Sequence, residues 1–205
     1  MDAAPELRMQ SLAVGLNQVH AVLITHTHAD HIFGLDDIRR FNDLIGEEIP
    51  VYGDEGALAD IQRIFRYVFI ETPPAGGKPQ LNLRPLTFKF ELFGMDIHSF
   101  TVMHGSLPIQ AFRFNRFAYV TDVSEIPPDS MKQLKGLDLL ILDAVRPDPH
   151  PTHFGLYQAL DVIAMLAPKR ALLTHLSHHF DHDATNAALP PGVELAYDGQ
   201  IIDLE

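Results

Sequence analysis

The chain has 205 residues, 46% of them hydrophobic, enough for one sizeable core, so a single domain over residues 1–205 is expected. Acidic residues outnumber basic ones 27 to 15 for a formal charge of -12, which argues against an extended nucleic-acid surface. The absence of cysteine excludes disulfides, and with neither a long apolar span nor a signal-peptide layout at the N-terminus, a cytoplasmic protein is expected.

Pro5 to Leu12 predicts a first helix, with Pro near its start and leucines at helical spacing. The apolar residues 21–24 suit a strand covered on both faces. That run ends abruptly in His26-Thr27-His28-Ala29-Asp30-His31. His26 and His28, two apart in extended chain, point the same way, while Asp30 and His31 approach after the turn. These nitrogen and oxygen donors suit zinc, manganese or iron and lack the thiolates of a purely structural zinc site. A surface histidine cluster is the plainer reading, but such an ordered set seldom follows a buried strand directly.

Gly34 to Ile45 predicts an amphipathic helix with Asp36 and Asp37 in its first turn, Ile49 to Tyr52 a short strand, and Glu55 to Tyr67 another helix. This is a βαβα rhythm. Residues 71–80, rich in Pro and Gly, predict a loop that is either a lid or a plain connection. Apolar runs at 86–92, 95–102, 108–114 and 117–121 predict antiparallel strands of a second sheet. His104 and Asp122 stand at ends of those strands. Taken alone, His104 reads as a loop histidine and Asp122 as a cap for a helix at 129–135. Residues 137–142 predict a buried strand ending at Asp143, followed by a loop to His153 stiffened by Pro147, Pro149 and Pro151. A helix over Gly155 to Leu166, a strand over Arg170 to Thr174 tipped by His175, and a hairpin between Val193 and Leu204 around Asp198-Gly199 complete the chain.

His26-x-His28-x-Asp30-His31, followed by His104, Asp122 and His175, resembles the signature of the metallo-β-lactamase superfamily. The resemblance implies an α/β fold, the four-layer αβ/βα sandwich, with two divalent metal ions, Zn or Mn with Fe as a further choice. Carried over position by position, His26, His28 and His104 would hold one ion and Asp30, His31 and His175 the other. Asp122 would bridge them. Two cations about 3.5–4 Å apart repel, and a shared carboxylate and hydroxide would offset that, the hydroxide serving as nucleophile. Asp2 falls where the superfamily places a supporting carboxylate that orients the ligands. On this match roughly the first pair of strands of the sandwich is lacking, and the sheet edge left behind would be exposed unless it pairs with another chain, as in a homodimer.

A narrower resemblance covers almost the whole chain. Thr25 to Asp37, Asp143 to His153 and Leu173 to Gly199 look like the PhnP branch, whose type member is a phosphodiesterase opening phosphoribosyl cyclic phosphate. His153 occupies the position of a histidine that assists at the phosphate or leaving group, against the plainer reading of a residue that begins the helix. The Arg146 fork suits phosphate oxygens, though a solvated loop arginine fits equally. The type member's accessory zinc site uses N-terminal cysteines and a histidine matching His178. With no cysteine here, His178, His179 and His182 are not expected to hold a structural zinc.

The resemblance therefore implies a dinuclear-metal hydrolase, with Asp30 and His153 as catalytic residues, acting on a small cyclic or diester phosphate. The alternatives are a tRNA-processing nuclease, a thioester or lactam hydrolase on the same two metals, and a non-catalytic metal-binding accessory protein. No membrane partner is expected.

Overall fold

A computed structural model describes residues 1–71 and 77–203. Residues 72–76, the middle of the predicted 71–80 loop, and 204–205 lie outside the described residues. The backbone gathers into two compact units, Met1–Leu86 and Thr87–Glu205.

The first unit is built on three strands, β1 (Val22–Leu23), β2 (Ile49–Gly53) and β3 (Leu81–Pro85), all parallel in that order. Parallel neighbours need crossovers, and helices supply them. Between β1 and β2 lie α2 (Ala29–Ile32), a 3-10 turn (Phe33–Ile38) and α3 (Arg39–Ile45); between β2 and β3 lie α4 (Glu55–Ile64) and α5 (Arg66–Phe69). Helix α1 (Leu7–Val14) precedes them and ends on Gly15 in the left-handed region. Asp54 caps α4 by accepting from the Ala57 N–H at 2.8 Å. Ile24, Ile32, Leu35, Ile49, Val51 and Ile61 make a fully buried core under these elements.

The single helix predicted over Gly34 to Ile45 is instead broken. Gly34 donates its N–H to the Ala3 carbonyl at 2.8 Å, and a Cβ on it would overlap the Ala4 carbonyl. The N-terminal segment runs against this point, so the chain tightens to 3-10 geometry before α3 begins. The helix predicted over Glu55 to Tyr67 breaks at Phe65, whose φ of -98° and ψ of 36° leave the helical region. Strand β3 was not anticipated: Leu81 and Leu83 alternate with Asn82 and Arg84 as a strand requires, but the preceding Pro and Gly residues mask the pattern.

The second unit is a seven-stranded mixed sheet in the order β10-β9-β8-β7-β6-β5-β4. Its strands are β4 (Lys89–Leu92), β5 (Met95–His104), β6 (Leu107–Phe114), β7 (Phe117–Val120), β8 (Leu139–Asp143), β9 (Arg170–Thr174) and β10 (Val193–Leu195). Pairing is antiparallel from β4 to β7, as predicted, and parallel from β7 to β10. The parallel joins are spanned by α6 (Pro128–Gln133), α7 (Leu156–Leu166) and α8 (His182–Ala188). Val102, Ile109, Ala118, Val120, Leu140 and Leu142 lie at the centre of its buried core.

The predicted C-terminal hairpin is corrected by this topology. Val193 pairs in parallel with Ala171, and among the described residues no strand returns after the Asp198-Gly199 turn. The short α8, which lifts the chain over to β10, explains the difference: a parallel edge strand needs such a crossover, whereas a hairpin does not. No helix among the described residues is long and apolar enough to cross a membrane.

Candidate functional site

In the first unit Asp2 and the histidine cluster are joined by a connected set of hydrogen bonds. Asp2 holds the tip of β1: its Oδ1 accepts the Thr25 N–H at 2.8 Å, and its Oδ2 accepts from the Thr25 hydroxyl and from His31 Nδ1, each at 3.0 Å. With its proton given to Asp2, the Thr25 hydroxyl accepts from His26 Nδ1 at 3.0 Å. One carboxylate thus sets two rings, His31 directly and His26 through Thr25, and in both it leaves the lone pair on Nε2. His26 Nε2 faces His28 Nδ1 at 3.0 Å, and the rings of His26 and His31 lie 4.1 Å apart. Asp30 Oδ2 sits 3.4 Å from His31 Nε2. Nitrogens aimed at one another in this way need a proton or a cation between them. From outside the turn, the Thr27 hydroxyl donates to Asp60 on α4 at 3.1 Å.

In the second unit the placement follows from strand direction. Strands β7, β8 and β9 are parallel, and β5 runs the same way because two antiparallel steps separate it from β7. Their carboxyl ends therefore share one edge, where ligands of such sheets collect. His104 is the last residue of β5, Asp143 the last of β8, His175 follows β9, and Asp122 lies just beyond β7. His175 Nε2 is 3.3 Å from Asp122 Oδ2, and its Nδ1 is 3.7 Å from Asp143 Oδ1. His104 Nδ1 donates to the Thr152 carbonyl at 2.7 Å, which again puts the lone pair on Nε2. Asp2, Asp122 and His175 all have positive φ, between 51° and 60°, a left-handed conformation that non-glycine residues hold only where the surroundings enforce it.

His153 lies in this cluster as well. Its Nδ1 donates to Asp143 Oδ2 at 2.9 Å, its ring stacks on His175 with centroids 4.8 Å apart, and the His104 ring is 4.5 Å away. Asp143 is wholly buried and also accepts the Val123 N–H at 3.1 Å. Burial pushes its carboxyl up to about 8, with the His175 charge pulling the other way and Asp122 adding to the rise, so near neutral pH the hydrogen-bonded Asp143–His153 pair keeps a proton, and Asp143 is a carboxylate when that proton sits on the imidazole. Asp143, His153 and His175 each offer a ligand atom close enough to share one cation.

The Arg146 guanidinium bonds carbonyls of its own loop. Its Nη2 donates to the Pro149 carbonyl at 2.6 Å and its Nε to the Asp148 carbonyl at 3.4 Å. Its backbone bridges Gly155, where a Cβ would stand 2.6 Å from the Asp148 carbonyl oxygen. The guanidinium therefore ties the 146–155 loop to itself. Within that loop Thr152 donates its N–H to His150 Nδ1 at 3.3 Å, and the His150 and His153 rings lie 5.1 Å apart. Burial, then the Arg146 charge, holds His150 below the usual histidine range.

Each unit thus brings together the site residues predicted from it: Asp2, His26, His28, Asp30 and His31 in one, and His104, Asp122, His153 and His175 in the other. Sequence reasoning missed Thr25, Asp143 and His150. Asp143 carries the signal already used for Asp122, a carboxylate at the end of a buried strand. Imidazoles with Nε2 lone pairs, tautomers pinned by Asp2, Thr25 and Thr152, and carboxylates among them fit divalent zinc, manganese or iron. The rings of His178 and His179 lie tilted to one another on the surface, with centroids 4.2 Å apart.

A family model described as a beta-lactamase superfamily domain matches residues 1–176. A solved structure described as a new diphosphatase from the PhnP family is 38% identical with a TM-score of 0.91, the match covering 100% of this chain and 79% of that one. An octanoyltransferase of Porphyromonas gingivalis is 34% identical over 203 residues, covering 97% of this chain and 41% of that protein. Exodeoxyribonuclease YycJ of Bacillus anthracis is 23% identical over 189 residues, covering 90% of this chain and 63% of that protein. The chain spans less than two thirds of the length of both curated relatives.

Proposed function

The chain belongs to the beta-lactamase superfamily and, within it, to the PhnP family, a fold of metal-dependent hydrolases, and from that premise we propose that it hydrolyses a phosphorus–oxygen bond in a small phosphodiester. The observation that carries this reading is the Asp143–His153 pair stacked against His175. An imidazole held by a buried carboxylate beside a metal-ligand histidine is a proton donor for a leaving oxygen, a need that phosphoester cleavage with an alcohol leaving group has in full.

On the superfamily pattern, His26, His28 and His104 would hold one divalent ion and Asp30, His31 and His175 a second, with Asp122 as a ligand to both. When bound, the ions supply charge for the phosphoryl oxygens and acidify the attacking water. The residues of the chain do the rest. Asp2 and Thr25 hold His31 and His26 in the tautomer that presents Nε2. Water attacks phosphorus and gives up a proton, which Asp30 receives. As the bond to the leaving oxygen breaks, His153 Nε2 protonates that oxygen, and Asp143 stabilises the imidazolium that exists before the transfer. A diphosphatase among the relatives adds phosphoanhydrides to the substrates worth testing.

A second reading is thioester hydrolysis, since the same two ions would serve attack on a carbonyl, and the match to an octanoyltransferase makes an octanoyl ester worth testing. A panel of bis(p-nitrophenyl) phosphate, a ribose cyclic phosphate, a nucleoside diphosphate, an octanoyl thioester and a chromogenic lactam, each with added manganese or zinc, separates the two. The expected result is turnover of the diesters at least about a hundredfold above that of the thioester and lactam, a gap of about 2.7 kcal/mol in barrier. Preferred turnover of the thioester would overturn the phosphodiesterase reading.

A further inference from the structure

We propose that His150 is a second substrate-contacting imidazole, a neutral donor that binds a phosphoryl oxygen through Nε2–H beside His153. The inference rests on the phosphoester reading above and adds to it a residue outside the metal-ligand signature and the His153 position.

Three observations carry it. Thr152 donates its N–H to His150 Nδ1 at 3.3 Å, and the Thr152 hydroxyl lies at 3.3 Å from the same nitrogen. A ring nitrogen that accepts a backbone N–H has no proton of its own, so the single proton of the neutral ring sits on Nε2. His150 is half-buried and its ring centroid is 5.1 Å from that of His153, so the ring belongs to the same cluster of imidazoles.

The loop also holds His150 in place before any ligand arrives. Arg146 ties down the carbonyls of Asp148 and Pro149, its backbone carbonyl accepts from the Leu156 N–H at 2.9 Å, and prolines flank His150 on both sides. Fixed backbone on both sides lowers the cost of presenting a donor to an anion. The two histidines then divide the work. His153, backed by the Asp143 carboxylate, is suited to carry and release a proton; His150, backed by an N–H donor, is suited to stay neutral and only donate a hydrogen bond.

The test uses metal-loaded full-length protein. Binding of inorganic phosphate is measured by calorimetry for wild type, His150→Phe and His150→Gln, with KM and kcat for bis(p-nitrophenyl) phosphate on the same samples. Long-range ¹⁵N–¹H spectra of the wild type report the His150 tautomer. Loss of one hydrogen bond to a charged oxygen predicts a phosphate affinity about tenfold weaker in His150→Phe, a KM raised by a similar factor, and a smaller change in kcat. His150→Gln, which retains an N–H donor, should recover most of the loss. The spectra should show the proton on Nε2. Unchanged phosphate affinity in His150→Phe, or a proton on Nδ1 in the wild type, would overturn the assignment. If the wild type cleaves no phosphoester while phosphate binding still depends on His150, the reaction reading fails and this contact stands; should His150→Phe not fold, the wild-type tautomer and His150→Gln decide it.

Discussion

Asp122→Ala is expected to remove metal-dependent hydrolysis, with a loss on the order of a thousandfold or more, because the charge a metal centre supplies is worth several kcal/mol. The ligand assignment gives this carboxylate to both ions, so no other single residue should cost as much bound metal. Its setting supports that role. Asp122 is 2% exposed, its Oδ1 accepts from the Thr121 hydroxyl at 2.6 Å, and its Oδ2 lies 3.3 Å from His175 Nε2. A backbone φ of 54° fixes the direction in which it points. Asp122→Asn keeps the shape and removes the charge, so it separates ligation from packing. Both variants should lose bound metal in elemental analysis while Asn retains more of the wild-type thermal stability. A variant that keeps full metal content and turnover would show that Asp122 is no ligand.

His153→Ala has the second largest expected effect, and its signature depends on the substrate. A general acid contributes about a hundredfold to ten-thousandfold when the leaving group needs a proton, and little when it does not. The variant should therefore lose about two orders of magnitude or more in kcat on an alkyl diester, and under about tenfold on bis(p-nitrophenyl) phosphate, whose phenolate leaves unaided. Metal content should stay at the wild-type level. Asp143→Asn should repeat the pattern in weaker form, because it keeps a partner for His153 Nδ1 but withdraws the charge that stabilises the imidazolium. An equal loss on both substrates would mean that His153 acts on something other than the leaving oxygen.

Much of the site was legible because its residues sit where strands end. His26, His104, Asp122 and His175 each follow an apolar run, and strand direction alone then brings three of them to one edge of the seven-stranded sheet. The role of Asp2 was also legible, though only through resemblance, since nothing in its local sequence announces a contact with Thr25 and His31. What sequence could not give were the features set by backbone packing. Gly34 breaks a helix whose apolar spacing was sound, because the Ala3 and Ala4 backbone presses on it from a distant part of the chain. The direction of β10 depends on the crossover through α8, and an Asp-Gly pair nearby predicted a hairpin that a parallel partner replaces. Arg146 turned inward to its own loop for a similar reason: a guanidinium meets nearby carbonyls before it meets a ligand.

The central claim is that these histidines and carboxylates hold two catalytic ions. Elemental analysis of the purified chain, paired with hydrolysis of bis(p-nitrophenyl) phosphate before chelation, after it, and after manganese or zinc is restored, tests that claim directly. The account predicts close to two ions per chain, loss of turnover with the chelator, and its return with the metal. One ion or none after reconstitution, or turnover indifferent to the chelator, would contradict it.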